Sequence, residues 1–149
     1  KLTKKYNAGL FLMHKRGTPK DMQKKLNPRA NMVKEFDKFI EKRLKILDKM
    51  KFNLKKVWFD PGIGFGKTLN QNLQLMRSLS KYSHKNLQIL LGSSRKSWIN
   101  FIDPSNADQR IGGSLASITH ALQQNVNTFR IHDVQETNQM IKVLKALNK

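Results

Sequence analysis

The chain has 149 residues and no cysteine, with 29 Lys+Arg against 10 Asp+Glu, a net charge of +19. That length suits one domain with a real core, and the missing cysteines exclude disulfides, thiol nucleophiles and cysteine metal sites. No apolar run approaches transmembrane length and no signal peptide is visible, so the expectation is a cytoplasmic protein with no membrane partner.

The first expected strand is 9–14, Gly9-Leu10-Phe11-Leu12-Met13-His14, running into Arg16-Gly17-Thr18-Pro19. A polar loop over 15–30 is punctuated by Gly17, Pro19 and Pro28. From 31 to 50, Val33, Phe36, Ile40, Leu44 and Leu47 recur at helical spacing. The second strand, 56–60, ends in Asp60, and a glycine-rich turn, Pro61 to Gly66, follows it. A carboxylate at a strand tip facing such a turn is a binding arrangement rather than a packing one. Gly66-Lys67-Thr68 looks like the end of a phosphate-binding P-loop, but that pattern needs glycine at position 61, where this chain has proline.

A helix is expected over 71–82, with Leu73, Met76 and Leu79 or Leu75 inward. The third strand, 87–91, ends in the small-residue turn Gly92-Ser93-Ser94 and two cations, Arg95 and Lys96. A short helix follows over 96–102 and a longer one over 108–124. Gly112 and Gly113 would weaken that helix in isolation, so they point to close packing or to backbone approach by a ligand. The fourth strand is 128–132. Strand alternation puts Arg130 and His132 on one face and Phe129, Ile131 and Asp133 on the other. Asp133 and Glu136 have capping-box spacing for a last helix, with Ile141, Leu144 and Leu147 inward. Strand–helix alternation of this kind implies a parallel sheet.

The motifs MHKRGTP (13–19), DPGIGFGKT (60–68), GSSRKS (92–97), RIGGSLAS (110–117) and RIHDV (130–134) together resemble the carboxyl-terminal half of dihydropteroate synthase. They run through nearly the whole chain in family-like order. The resemblance implies an α/β fold, a partial TIM (β/α)8 barrel of about four carboxyl-terminal βα units with parallel strands. A whole barrel takes about 250 residues. Residues 1–149 are therefore expected to be the carboxyl-terminal half of a pterin-binding domain with the amino-terminal half absent, as a start at Lys1 rather than Met also suggests.

The same resemblance implies an enzyme, a transferase of folate biosynthesis. It would join 6-hydroxymethyl-dihydropterin pyrophosphate to para-aminobenzoate, giving dihydropteroate and pyrophosphate. Asp60 matches the carboxylate that grips the pterin edge, and Lys96 the lysine that contacts the pterin and the incoming aminobenzoate. Arg130 and His132 match the pyrophosphate pair, which with Lys96 are the expected catalytic residues. Phe65 and Ser97 match the aminobenzoate pocket, and Met13 a position beside the pterin; Gly64 and Gly92 would bring backbone near the ligand. Arg95 is either a direct substrate contact or a salt bridge supporting its loop. Asn125 stands where relatives commonly have glycine, a turn that asparagine tolerates. The family implies Mg²⁺, bound mainly through the substrate pyrophosphate and the missing half, with no metal ligand in this chain. It also implies a homodimer for the full-length enzyme.

Three other readings compete: an inactive or split remnant needing a complementing half, a pterin-binding methyltransferase, and a basic nucleic-acid-binding protein. Cations at SRK and RIHDV fit pyrophosphate handling and weigh against the methyltransferase. Lysines scattered over helix faces, as at Lys34, Lys38, Lys42, Lys45 and Lys49, without an aromatic-interleaved stripe, weigh against nucleic acid.

Overall fold

The computed structural model describes residues 2–24, 26–83, 85 and 87–148. Four strands, β1 Leu10–Met13, β2 Val57–Asp60, β3 Gln88–Leu91 and β4 Thr128–Phe129, form one sheet in that order, each neighbouring pair parallel. A short α1, Leu2–Lys5, precedes them. The crossovers carry α2 Met32–Lys49, then α3 Leu69–Arg77 and α4 Ser80–Ser83, then α5 Ser97–Asn100 and α6 Ile111–Gln123; α7 Val134–Leu147 follows β4. Sequential parallel strands joined by helices are the wall of a barrel, so the fold is α/β, a four-unit segment of the TIM barrel.

The two sheet faces differ. Leu10, Leu12, Val57 and Phe59 pack into the core shared with the helices. The alternate positions Phe11 and Trp58 pair with ring centroids 5.2 Å apart on the other face, where Phe11 remains 59% exposed. Strand alternation puts Met13 and Asp60 on this same face at the carboxyl ends.

Helix α2 starts where Asn31 accepts a hydrogen bond from the Lys34 N–H, and it buries Phe36, Ile40 and Leu47. Full burial of such side chains is worth about 1.5–3 kcal/mol each. Phe36 meets Tyr82 edge-on at 5.0 Å, which ties α2 to α4. Helix α3 begins earlier than its apolar spacing suggests, because Thr68 and Gln71 form a capping box. The expected 71–82 helix is broken at Ser78, whose hydroxyl donates to the Gln74 and Leu75 carbonyls and stops the ladder.

Three further expectations fail on local physics. Strand β4 stops at Phe129 rather than 132, so alternation cannot place Arg130 and His132. Asp133 precedes α7 but makes no side-chain cap bond, because Arg95 takes its carboxylate. Helix α7 packs mainly on α6, so Ile141 and Leu144 are only half-buried and Leu147 is 77% exposed.

The glycine pair in α6 divides. A Cβ on Gly113 would lie 2.6 Å from the Ile99 Cγ2 methyl, whereas one on Gly112 meets nothing within 4 Å. Gly113→Ala should therefore destabilise by roughly 1–3 kcal/mol through overpacking. Gly112→Ala should leave stability unchanged or raise it by up to about 1 kcal/mol. Denaturant midpoints of the two variants check the contrast.

Candidate active site

Asp60 ends β2 and is only 2% exposed. One carboxylate oxygen accepts from the Gly62 N–H at 2.7 Å, and the other faces the Arg130 guanidinium at 3.9 Å. Burial pushes its carboxyl above the usual range, while the Gly62 bond and the charges of Lys96, Arg130 and Lys67 pull it back. The carboxylate thus keeps acceptor capacity for a ligand at the strand ends.

The turn after Asp60 is shaped by glycines at positive φ. A Cβ on Gly62, at φ 66, would stand 1.9 Å from the His14 carbonyl oxygen, so only glycine lets this turn lie against the end of β1. Gly64 donates to Asn72 Oδ1 at 2.8 Å, and its carbonyl accepts from Gln23 at 2.6 Å. Inside the turn sits Lys67, 3% exposed. Its ammonium donates to the carbonyls of Gly62, Phe65 and His14 at 2.9, 3.1 and 3.2 Å. Burial pulls the lysine down to about 8, opposed by Asp60.

Lys96 crosses the turn from the other side. Its ammonium donates to the Ile63 carbonyl at 2.5 Å and lies 4.5 Å from the centre of the Phe65 ring, a cation–π contact. Burial and nearby Arg130 bring it down to about 8, with Asp60 opposing. Lys96, Arg130 and His132 line one cavity of about 260 Å³ with Gly92, Ser94 and Ile131. The Arg130 guanidinium fills the space over Gly92, where a Cβ would lie 3.1 Å from Nη2. The His132 Nδ1 is 3.1 Å from the Ser94 hydroxyl, which leaves Nε2 free for a ligand.

Asp60, Lys96, Arg130 and His132 are therefore brought together at the carboxyl ends of the strands. Met13 lies beside them, paired with Asp60 across β1 and β2. Ser97 is exposed and lines a neighbouring cavity of about 470 Å³ with Gln23, Leu26, Lys67, Leu69 and Phe101. Arg95 turns away from the cluster and grips Asp133 with Nε and Nη2. His14 is buried between Phe36 and Phe39 and held down to about 4, first by burial and then by Lys67 and Arg16, so it stays neutral and serves packing. His84 lies outside the described residues. The described residues contain no group of three His, Asp or Glu that could hold a metal ion. Asp60 and Asp133 are both engaged by cations, a donor set that does not fit Mg²⁺. The chemistry on offer is recognition of a donor-rich heterocycle edge by Asp60 and of an anion by the cations beyond it.

Sequence reasoning missed Lys67, Asn72, Gln23 and Ser94. The Lys67 signal was available: a lysine closing a turn of three positive-φ glycines can reach the inward carbonyls such a turn creates. Lys67→Met should leave those carbonyls without a donor and destabilise the chain by about 2 kcal/mol or more. Chemical denaturation checks it, and a midpoint equal to wild type would show that the clamp contributes nothing.

Residues 1–132 match the family model described as pterin binding enzyme. The chain is 34% identical over 148 residues to the bifunctional dihydropteroate synthase/dihydropteroate reductase of Helicobacter pylori, covering 99% of this chain and 38% of that protein. It is 35% identical over 136 residues to the dihydropteroate synthase of Escherichia coli K12, covering 91% of this chain and 48% of that one. The Yersinia pestis dihydropteroate synthase solved with a sulfonamide drug superposes with a TM-score of 0.88 at 32% identity, over 97% of this chain and 52% of that structure. The Thermus thermophilus enzyme solved with 4-aminobenzoate gives 0.87 at 29% identity, over 99% and 60%. This chain spans between 38% and 60% of the length of these relatives. With the family model matched over 1–132 and the strand-end cluster in the same segment, the chain belongs to the pterin-binding enzyme family.

Proposed function

We propose that this chain is the carboxyl-terminal half of a dihydropteroate synthase domain, joining a pterin pyrophosphate to para-aminobenzoate. The observation that carries the reading is one buried carboxylate, Asp60, beside two cations, Lys96 and Arg130, that line a cavity with His132. A pterin presents an edge of N–H donors to Asp60, and its carbonyl and ring nitrogen to Lys96. Arg130 and His132 hold the pyrophosphate, Arg130 by its planar fork, and the Lys96 ammonium, in the same cavity wall, adds its charge to that anion site. The bond from the pterin methylene carbon to the pyrophosphate oxygen breaks with carbocation character, the arylamine nitrogen bonds to that carbon, and the amine gives up one proton to water. The cations stabilise the departing charge, and no covalent enzyme intermediate is needed. Phe65 and Ser97 flank the approach of the aminobenzoate.

The domain reading goes with it. Phe11 and Trp58 pack on the sheet face away from the helices, which suits a barrel interior completed by further strands. Turnover then belongs to the assembled barrel, and the 149-residue chain alone should bind its ligands but turn over little. The Mg²⁺ that the resemblance implies is assigned to the substrate pyrophosphate and to residues beyond these; no step above depends on it.

Calorimetry with a pterin pyrophosphate and a phosphate-free pterin separates the roles. Asp60→Asn should weaken both ligands by about 1–3 kcal/mol, roughly ten- to hundredfold. Arg130→Ala should weaken the pyrophosphorylated ligand more than the phosphate-free one, and equal losses would contradict the anion site.

The pH dependence has a definite sign. Lys96 in the free protein titrates near 8, so its charge is present below that pH and lost above it. Pyrophosphate affinity should accordingly fall as pH rises through about 8. A bound anion favours the ammonium, so protons should be taken up on binding above pH 8. Titrations in buffers of different ionisation enthalpy measure that uptake, and a flat profile from pH 7 to pH 10 would remove Lys96 from the anion site.

A further inference from the structure

β3 and β4 pair with Leu90 opposite Thr128 and Leu91 opposite Phe129. The Arg130 N–H then donates to the Leu91 carbonyl, the last backbone bond of the ladder. Beyond it, side chains continue the pairing at the same offset of 38 residues. Gly92 makes room for the Arg130 guanidinium, Ser94 meets the His132 ring, and Arg95 meets Asp133.

The outermost contact is built at a cost. Arg95 adopts φ 56, in the left-handed region that disfavours residues with a side chain. That conformation is pinned from both sides. The Arg95 N–H donates to the Ser114 hydroxyl at 2.9 Å, and its carbonyl accepts from Arg110 Nη1 at 3.1 Å. Asp133 gives up the helix-capping bond it is placed to make, and both its oxygens go to the Arg95 fork.

We propose that Arg95 and Asp133 are positioning residues: their forked ion pair locks the turn 92–96 to the segment 130–133 and so fixes Lys96 and His132 relative to one another. Lys96 follows Arg95 in the chain, and His132 precedes Asp133, so each half of the pair sits one residue from a ligand-binding side chain. This rests on the anion-site reading above. It is distinct from a direct role for Arg95, because the Nε and Nη2 edge that would grip an anion is already spent on Asp133.

The two roles differ in sign. If Arg95 held the anion directly, neutralising Asp133 would free a guanidinium and remove a repelling charge, so binding would hold or tighten. If the pair positions, Asp133→Asn should weaken binding of inorganic pyrophosphate by the full chain, by roughly tenfold. Arg95→Lys, which keeps the charge and loses the fork, should weaken it too. The double variant should be no weaker than the poorer single, since the two act as one unit. Calorimetry at neutral pH measures all four proteins, and a thermal melt of each shows that it is folded. Should Asp133→Asn fail to fold, the ¹⁵N signals of the His132 ring in Arg95→Lys carry the test: a shift without ligand upholds positioning, and wild-type signals overturn it. Unchanged or tighter pyrophosphate binding in the folded variants overturns the proposal. Should the wild-type chain itself not bind pyrophosphate, the functional reading fails instead. The ¹⁵N signals of the His132 ring, read without ligand, then decide: a shift in the folded variants upholds the positioning role, and wild-type signals overturn it.

Discussion

A carboxylate taken out of water must be compensated, and Asp60 imposes that requirement on everything around it. One partner is the Gly62 N–H, available only because Gly62 accepts a conformation and a closeness to His14 that no other residue would. The others are cations, and they are unequal. Two unit charges about 4 Å apart attract by about 4 kcal/mol at an effective dielectric near 20. Arg130 sits at 3.9 Å but with its side chain 60% exposed, so solvent screens much of this. Lys67 and Lys96 are the less hydrated partners, which is why both are held near 8.

The division of labour among these cations follows from what else each one touches. Lys67 spends its three donors on backbone carbonyls and becomes part of the turn. Lys96 spends one donor on Ile63 and keeps the rest facing the cavity. Arg130 and His132 are the exposed members of the group. A gradient from buried to exposed cations runs outward from the carboxylate. The net charge of +19 adds a general attraction for anions but does not select among them.

The parallel strands and the helices between them were legible in the sequence because each rests on short-range pattern, whereas the members of the central cluster were named by motif resemblance to a known family. Apolar runs of strand length end in chemistry, and apolar residues at helical spacing mark α2, whereas the Thr68 cap that starts α3 at Leu69 went unread. What else escaped was set by contacts between distant segments. Nothing near Asp133 says that its carboxylate will go to Arg95 rather than to a helix N-terminus. Alternation along 128–132 put Arg130 and His132 on one face, and the two do share a cavity, though through a loop path that β geometry does not describe. Leu147 was misplaced because helical periodicity identifies a face but not whether anything covers it.

The continuation of the β3–β4 register into side-chain contacts bears on how the chain finds its fold. A parallel pair joined by a long crossover has little local guidance, and a slip of one residue turns every side chain of a strand to the opposite face. Here β4 has only two residues in the ladder to resist such a slip. The contacts at 92, 94 and 95 with 130, 132 and 133 supply the missing discrimination, since a shifted β4 would set Arg95 against His132 or Val134 instead of a carboxylate. These contacts thus favour the native alignment of β3 and β4 over one slipped by a residue.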